Sequence, residues 1–475
     1  MKKTLVTLVL ILNMVAVPAA AVALDTTSGE AQGPAPHKAT LIDIEDCNRQ
    51  ILLKEIELER YSINFRKKNN VQGRYRGWRY FISQEANASL TSAGLLRQLR
   101  ERQNVIDANN RVGSLRRRPN RQVLESGLIC QLVGQSIGGT GSAIELGINM
   151  VHEQQARKQG YGPRAGIAKV MALKQQLEQL FEQRRKLVSR SDMDPEDLAI
   201  ALREEAVLRD ITDMGLHEYC DFHAGARRYA TFQNALYIFD IAKNATGVSG
   251  NIVGLNGLHR PSPRLSGAGS ILTCISGFLT FTSPLASRGS GLVAEKLQRR
   301  RLKPIIAGHP RVPIDKLNED RSRLKLAIAS RLAQDPAACK TQTLAMLAYC
   351  EQQTELRQAQ LELSTREVQS GTRSATQNVL VGAIVGGTKM SFGTTGIIGG
   401  FRYPTQPLKA NAVAQAGTIC YAAGSFVSVA DNVRLRVLDE YNRRRLSRKR
   451  QLPSQVLADR LDALSQLETT LAFKN

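Results

Sequence analysis

Two hydrophobic patterns alternate along the chain. The first is amphipathic at helical spacing, as in IAKVMALKQQLEQL (167–180), IDKLNEDRSRLKL (314–326) and VLADRLDALSQLE (456–468). The second is apolar and rich in small residues, with few charges and no clean polar face. It appears in GLICQLVG (127–134), SILTCISG (270–277) and GTICYAAG (417–424), and in the longer QNALYIFDIAKNATGVSGNIVG (233–254) and QNVLVGAIVGGTKMSFGTTGIIGG (377–400). Gln, Leu, Ala, Arg and Glu dominate the polar stretches, which favours helix throughout.

The patterns recur in a fixed order. Cys130, Cys274 and Cys420 share their surroundings and lie 144 and 146 residues apart. Each is followed by a basic cluster: HEQQARK (152–158), AEKLQRRRLK (294–303) and DEYNRRRLSRK (439–449). Beyond each cluster come a proline (Pro163, Pro313, Pro453) and one of the amphipathic stretches. A second cysteine context recurs earlier in each unit, as IEDCN (44–48), HEYCD (217–221) and AYCEQ (348–352). The reading is a mainly α protein of three divergent helical repeats with Gly/Ala-rich helices, spanning 40–195, 196–335 and 336–475. Each unit reads as helix, Gly-rich helix, turn, apolar helix ending in arginines, proline break and amphipathic helix. In the third, the chain is expected to reverse near 371–376 and again near 403–408.

The N-terminus has the layout of a secretory signal peptide over 1–23, with Lys2 and Lys3, an apolar run Thr4–Val17 and the small-residue site Ala21-Val22-Ala23. Residues 24–39 then read as a flexible segment. An exported protein of a bacterial envelope or periplasm is expected. That compartment permits disulfides, and pairing one early with one late cysteine per unit predicts staples Cys47–Cys130, Cys220–Cys274 and Cys350–Cys420, with Cys339 left over. The bland alternative is that these cysteines are buried apolar residues.

A formal net charge of +23 speaks to partners more than to fold. For an exported chain the polyanions at hand are wall polymers and lipid head groups, which disfavours nucleic acid. Anion-binding candidates are the basic helix ends, Arg299, Arg300, Arg301, Arg443, Arg444 and Arg445, and the Arg–aromatic run RYRGWRYF (74–81) with Arg74, Arg76, Trp78 and Arg79. The competing explanation is helix capping, since cations suit a helix C-terminus. Phosphate-loop, dinucleotide and haem-attachment motifs are absent, so no cofactor is expected.

Two motifs invite chemistry. Gly134-Gln135-Ser136-Ile137-Gly138 satisfies the serine-hydrolase elbow and LICQLV before it is compatible with a strand, but no oxyanion loop or βα alternation accompanies it. His217, Cys220 and His223 form H-x-x-C-x-x-H without a second cluster to complete a metal set. The expectation is a non-catalytic structural or interaction protein that holds anionic polymers or lipids through its basic helix ends. One alternative is an integral membrane protein of three small-residue hairpins, opposed by polar interruptions such as Gln131, Gln135, Glu145, Lys389, Asn411 and Gln415. A second is an esterase-like hydrolase using Ser136.

Overall fold

The computed structural model describes residues 36–69, 74–110, 119–190, 193–260, 262–334, 341–449 and 452–472. The proposed signal peptide, most of the N-terminal segment and Cys339 therefore lie outside the described residues. Every element among those described is helical: α1 (Pro36–Asn69), α2 (Arg74–Asn110), α3 (Arg121–Lys158), α4 (Pro163–Arg190), α5 (Pro195–His259), α6 (Pro263–Ile306), α7 (Ile314–Gln334), α8 (Thr341–Ile397), α9 (Pro407–Arg448) and α10 (Pro453–Ala472). A single π-turn, Ile398–Arg402, closes α8. The mainly α expectation is met.

Helix ends follow local chemistry. Asn120 and Ser262 cap α3 and α6 by accepting from the backbone N–H of Gln122 and Leu265. Prolines 163, 195, 263, 407 and 453 stand at helix starts, where a missing N–H costs nothing. The chain leaves α3 through Gly160 and α6 through Gly308, both at φ 81°, the left-handed region where glycine is free of Cβ strain.

Two bodies result. In the first, here the ring, α2, α3, the C-terminal half of α5, α6, the C-terminal part of α8, and α9 each pack on the next, and α9 packs back on α2. Its seams are close because small residues line them. A Cβ on Gly250 of α5 would lie 2.9 Å from the carbonyl of Gly269 on α6, and one on Gly386 of α8 would lie 2.5 Å from the backbone N of Phe281.

The second body, the head, is a three-plus-three bundle. Parts of α1, α5 and α8 touch one another at its centre. Outside them, α4 packs against α1 and α5, α7 against α5 and α8, and α10 against α8 and α1. Its core is ordinary: Ile51, Leu52, Phe65, Leu173, Leu177, Leu208, Leu216, Tyr219, Leu317, Leu324 and Leu464 are all buried there. Two arginines enter this core on carboxylates. Arg184 of α4 has no exposure, and bonds Asn48 (2.6 Å), the Ala201 carbonyl (2.7 Å), Glu204 (3.2 Å) and Glu205 (3.3 Å). Arg460 of α10 grips Glu59 with two bonds of 2.6 and 2.8 Å.

Two expectations need correction. The chain does not reverse near 371–376: α8 runs through those residues as one helix, and the turn falls at 403–406. The staples are also absent, since Cys47, Cys130, Cys220, Cys274, Cys350 and Cys420 are all free. The reason is geometric. Cys47, Cys220 and Cys350 are buried in the head core, whereas Cys130, Cys274 and Cys420 sit on the ring portions of α3, α6 and α9, far along them from the head. Cys130 alone is 28 residues from the head end of α3, roughly 42 Å at helical rise, beyond the reach of any disulfide. Burial pushes the Cys220 and Cys350 thiols up to about 12, as suits inert core thiols.

Candidate functional site

Burial in the ring is inverted relative to the head. In the ring portion of α6 the buried positions are Gly267, Gly269, Thr273, Ser276, Gly277, Ser283, Ser287 and Gly291, while Ile271, Ile275, Phe278, Phe281, Leu285, Leu292 and Val293 are exposed. On α3, Gln131, Gln135, Ser142, Glu145 and Asn149 are buried, and Ile129, Val133, Ile137, Ile144, Met150 and Val151 are exposed. On α9, Asn411, Thr418 and Ser425 are buried, and Ile419, Phe426, Val427, Val433, Val437 and Leu438 are exposed. A soluble helix bundle shows the reverse.

The inward polar groups satisfy one another across the ring. Asp240 of α5 accepts from Tyr80 of α2 (2.5 Å) and Ser142 of α3 (3.4 Å), and pairs with Lys243 (2.5 Å). Asn251 of α5 donates to Gln135 of α3 at 3.2 Å, Asn87 of α2 to Asn244 at 3.2 Å, and Lys389 of α8 to Ser276 of α6 at 2.6 Å. Arg102 of α2 and Asn411 of α9 bond each other at the end remote from the head. Most of the residues that interrupt the apolar segments in sequence thus face the ring interior.

The exposed apolar belt has a definite height. It runs from Ile129 to Val151 on α3 and from Ile419 to Leu438 on α9, roughly 33 and 29 Å at 1.5 Å per residue. Helices α6 and α9 each contain an apolar stretch of spanning length with few charges, of which only 28% and 33% is buried. Trp78, Tyr229 and Tyr441 stand exposed near the head end of the belt.

The basic helix ends form a collar between the belt and the head. Arg299 is engaged by Asp221 (2.9 Å) and Glu295 (3.0 Å), and Arg444 by Glu440 (3.3 Å). Arg300, Arg301 and Arg445 are exposed and Arg443 half-buried; none of the four makes an ion pair among the described residues. With Lys303 and Arg299, Arg300 lines a shallow groove on α6. The Arg–aromatic run is largely consumed internally: Arg79 pairs with buried Glu145 (2.8 Å), Tyr80 with Asp240, and the guanidinium of Arg436 covers Trp78 at 4.2 Å. The side chains of Arg74 and Arg76 lie outside the described residues. Arg436 was not visible as a partner in sequence, because α2 and α9 stand far apart along the chain.

The catalytic motifs dissolve. LICQLV is helix, not strand, and Ser136 lies exposed mid-way along α3, without the strained turn that arms a hydrolase serine. His217 Nε2 bonds the carbonyl of His309 (2.9 Å), while His223 is buried and stacked on Phe65 (4.8 Å). Burial lowers the His223 pKa to about 4. Among the described residues no group of His, Cys, Asp and Glu is arranged to hold a metal. In comparisons with known proteins, no family model, curated protein or solved structure matches this chain.

Proposed function

We propose that this chain is a non-catalytic, exported envelope protein whose ring is inserted in a membrane, with the head held against the adjoining leaflet by the basic collar. One observation carries the reading: the ring is polar inside and apolar outside. Exposed apolar surface of that extent is costly in water, and its height of about 30 Å is that of a bilayer's hydrocarbon core. Small-residue seams are how helices associate where lipid removes the hydrophobic drive. Aromatic residues at the edge of the belt and cations just beyond it suit the interface and anionic head groups.

The cyclic packing of three outer on three inner helices, together with the glycine turns at Gly160 and Gly308 at matching points, supports three divergent repeats of 40–195, 196–335 and 336–475. Each contributes one hairpin to the ring: α2–α3, the end of α5 with α6, and the end of α8 with α9. Anionic lipid or wall polymer is the proposed partner of Arg300, Arg301, Arg443 and Arg445. Three similar basic ends on one body add by avidity, without a single strong site.

The test is extraction of membranes from cells making the full chain. The protein should stay in the pellet through alkaline carbonate and high salt. Release into the supernatant by carbonate would refute insertion. The collar is tested separately, by binding of the detergent-solubilised protein to anionic polymer: charge reversal of Arg300, Arg301 and Arg445 should weaken salt-sensitive capture.

A further inference from the structure

We propose that the ring interior holds a binding site for one weakly hydrated monovalent anion, such as chloride, seated on Lys389. Lys389 is 5% exposed and projects from α8 into the ring. Its ammonium donates to Ser276 Oγ at 2.6 Å and lies 5.8 Å from the ring centre of Tyr421 on α9. Among the described residues no carboxylate lies within ion-pair distance of it. The charged side chain that acts on it is Lys243, another cation. Asp240, the nearby acid, is already bound to Lys243 on one oxygen and to Tyr80 and Ser142 on the other. Asp240 and Lys243 cancel, so Lys389, whenever it is protonated, is the uncompensated positive charge in the middle of the ring.

A lone buried cation is expensive in any low-dielectric interior, and a hydroxyl and an aromatic face compensate only part of that cost. Ionisable groups kept at such positions are functional-site hypotheses in their own right. A bound anion supplies the missing charge. The donors present decide which anion fits. Ser276 gives its own proton to the Lys243 carbonyl at 2.5 Å, and backbone N–H groups in mid-helix are committed to the helix. The site therefore offers one ammonium and few further donors. Phosphate or sulfate, which needs several donors in place of its hydration shell, is disfavoured; chloride, bromide or thiocyanate loses much less. The site lies within the ring itself, so it does not depend on the ring being in lipid, although that reading makes the charge harder to leave bare.

The experiment uses the full-length protein in a neutral detergent at fixed ionic strength, with sodium chloride replacing sodium gluconate. The melting temperature should climb with the logarithm of chloride above saturation, as for any ligand that binds only the folded state. Lys389→Met should abolish that dependence, and Lys389→Arg should keep it. Should Lys389→Met fail to fold, ³⁵Cl line broadening by the wild-type protein decides, since thiocyanate should reverse it and gluconate should not. A wild-type melting temperature indifferent to chloride, or an equal response in Lys389→Met, overturns the site and indicates a neutral lysine. Carbonate extraction is scored independently, so loss of the anion site and loss of the membrane reading are separate results.

Discussion

Glu55 is the most informative side chain to change. It is 2% exposed on α1 in the head, beside Glu59 and Asp213. Desolvation first, and those neighbouring acids second, push its pKa up to about 8, with the Thr212 hydrogen bond opposing. Thr212 also lies 3.0 Å from the Leu208 carbonyl. The folded protein therefore keeps a proton that the unfolded chain releases near the ordinary value of 4.5. The contribution is fully present below that value and is lost as pH rises toward 8. At about 1.4 kcal/mol per pH unit, wild type should lose roughly 3–4 kcal/mol from this group between pH 5 and 8. Glu55→Gln keeps the shape and the hydrogen bond but cannot ionise. The variant should match wild type at pH 5 and exceed it increasingly toward pH 8. Denaturant unfolding of both proteins in the same detergent at several pH values measures the difference. His223 acts oppositely, costing stability as pH falls from about 6.5 toward 4, but it is common to both proteins and cancels. A difference that does not change with pH would refute the argument and show that the carboxyl is ionised or hydrated in the fold.

Three other outcomes can be checked. Gly386→Ala should force α8 away from Phe281 on α6 and cost about 1–3 kcal/mol, read as a lower melting temperature, with Gly387→Ala, which meets nothing within 4 Å and should gain up to about 1 kcal/mol of helix propensity, as the control that does not fall. Arg184→Met leaves buried Glu204 without its guanidinium and Glu205 with only Arg185 and Arg209, and should destabilise the protein by about 3–5 kcal/mol, measured by denaturant midpoint. Alkylation of denatured, unreduced protein followed by mass spectrometry should modify Cys47, Cys130, Cys220, Cys274, Cys350 and Cys420 alike; protection of any pair from that set would contradict their separation.

The amphipathic outer helices of the head were legible in the sequence because their signal is one-dimensional. Leu173, Leu177 and Phe181 on α4, or Leu317, Leu324 and Ile328 on α7, recur at helical spacing and are the residues buried. The ring was legible as helix but not as a ring. Its inner face carries Gly, Ser, Thr and Asn and its outer face Ile, Phe and Val, so hydrophobicity alone reads the wrong side as core. Gln131, Gln135, Glu145 and Lys389 look like objections to an apolar helix until the six helices close around them. The staple prediction failed for a related reason. The early and late cysteines of a unit recur together in sequence but belong to different bodies, and helix length keeps them apart.

The 65 residues of α5 extend for roughly 98 Å without a break, passing from the centre of the head into the ring beside Asp240 and Lys243. Helices α6 and α8 also serve both bodies. Helix α5 has no proline at that junction, whereas α6 carries Pro304 close to it, so a torque applied to the head must either be resisted or reach the ring's charged middle through α5 as a rotation. Whatever grips the head from outside thereby has a mechanical lever on the interior.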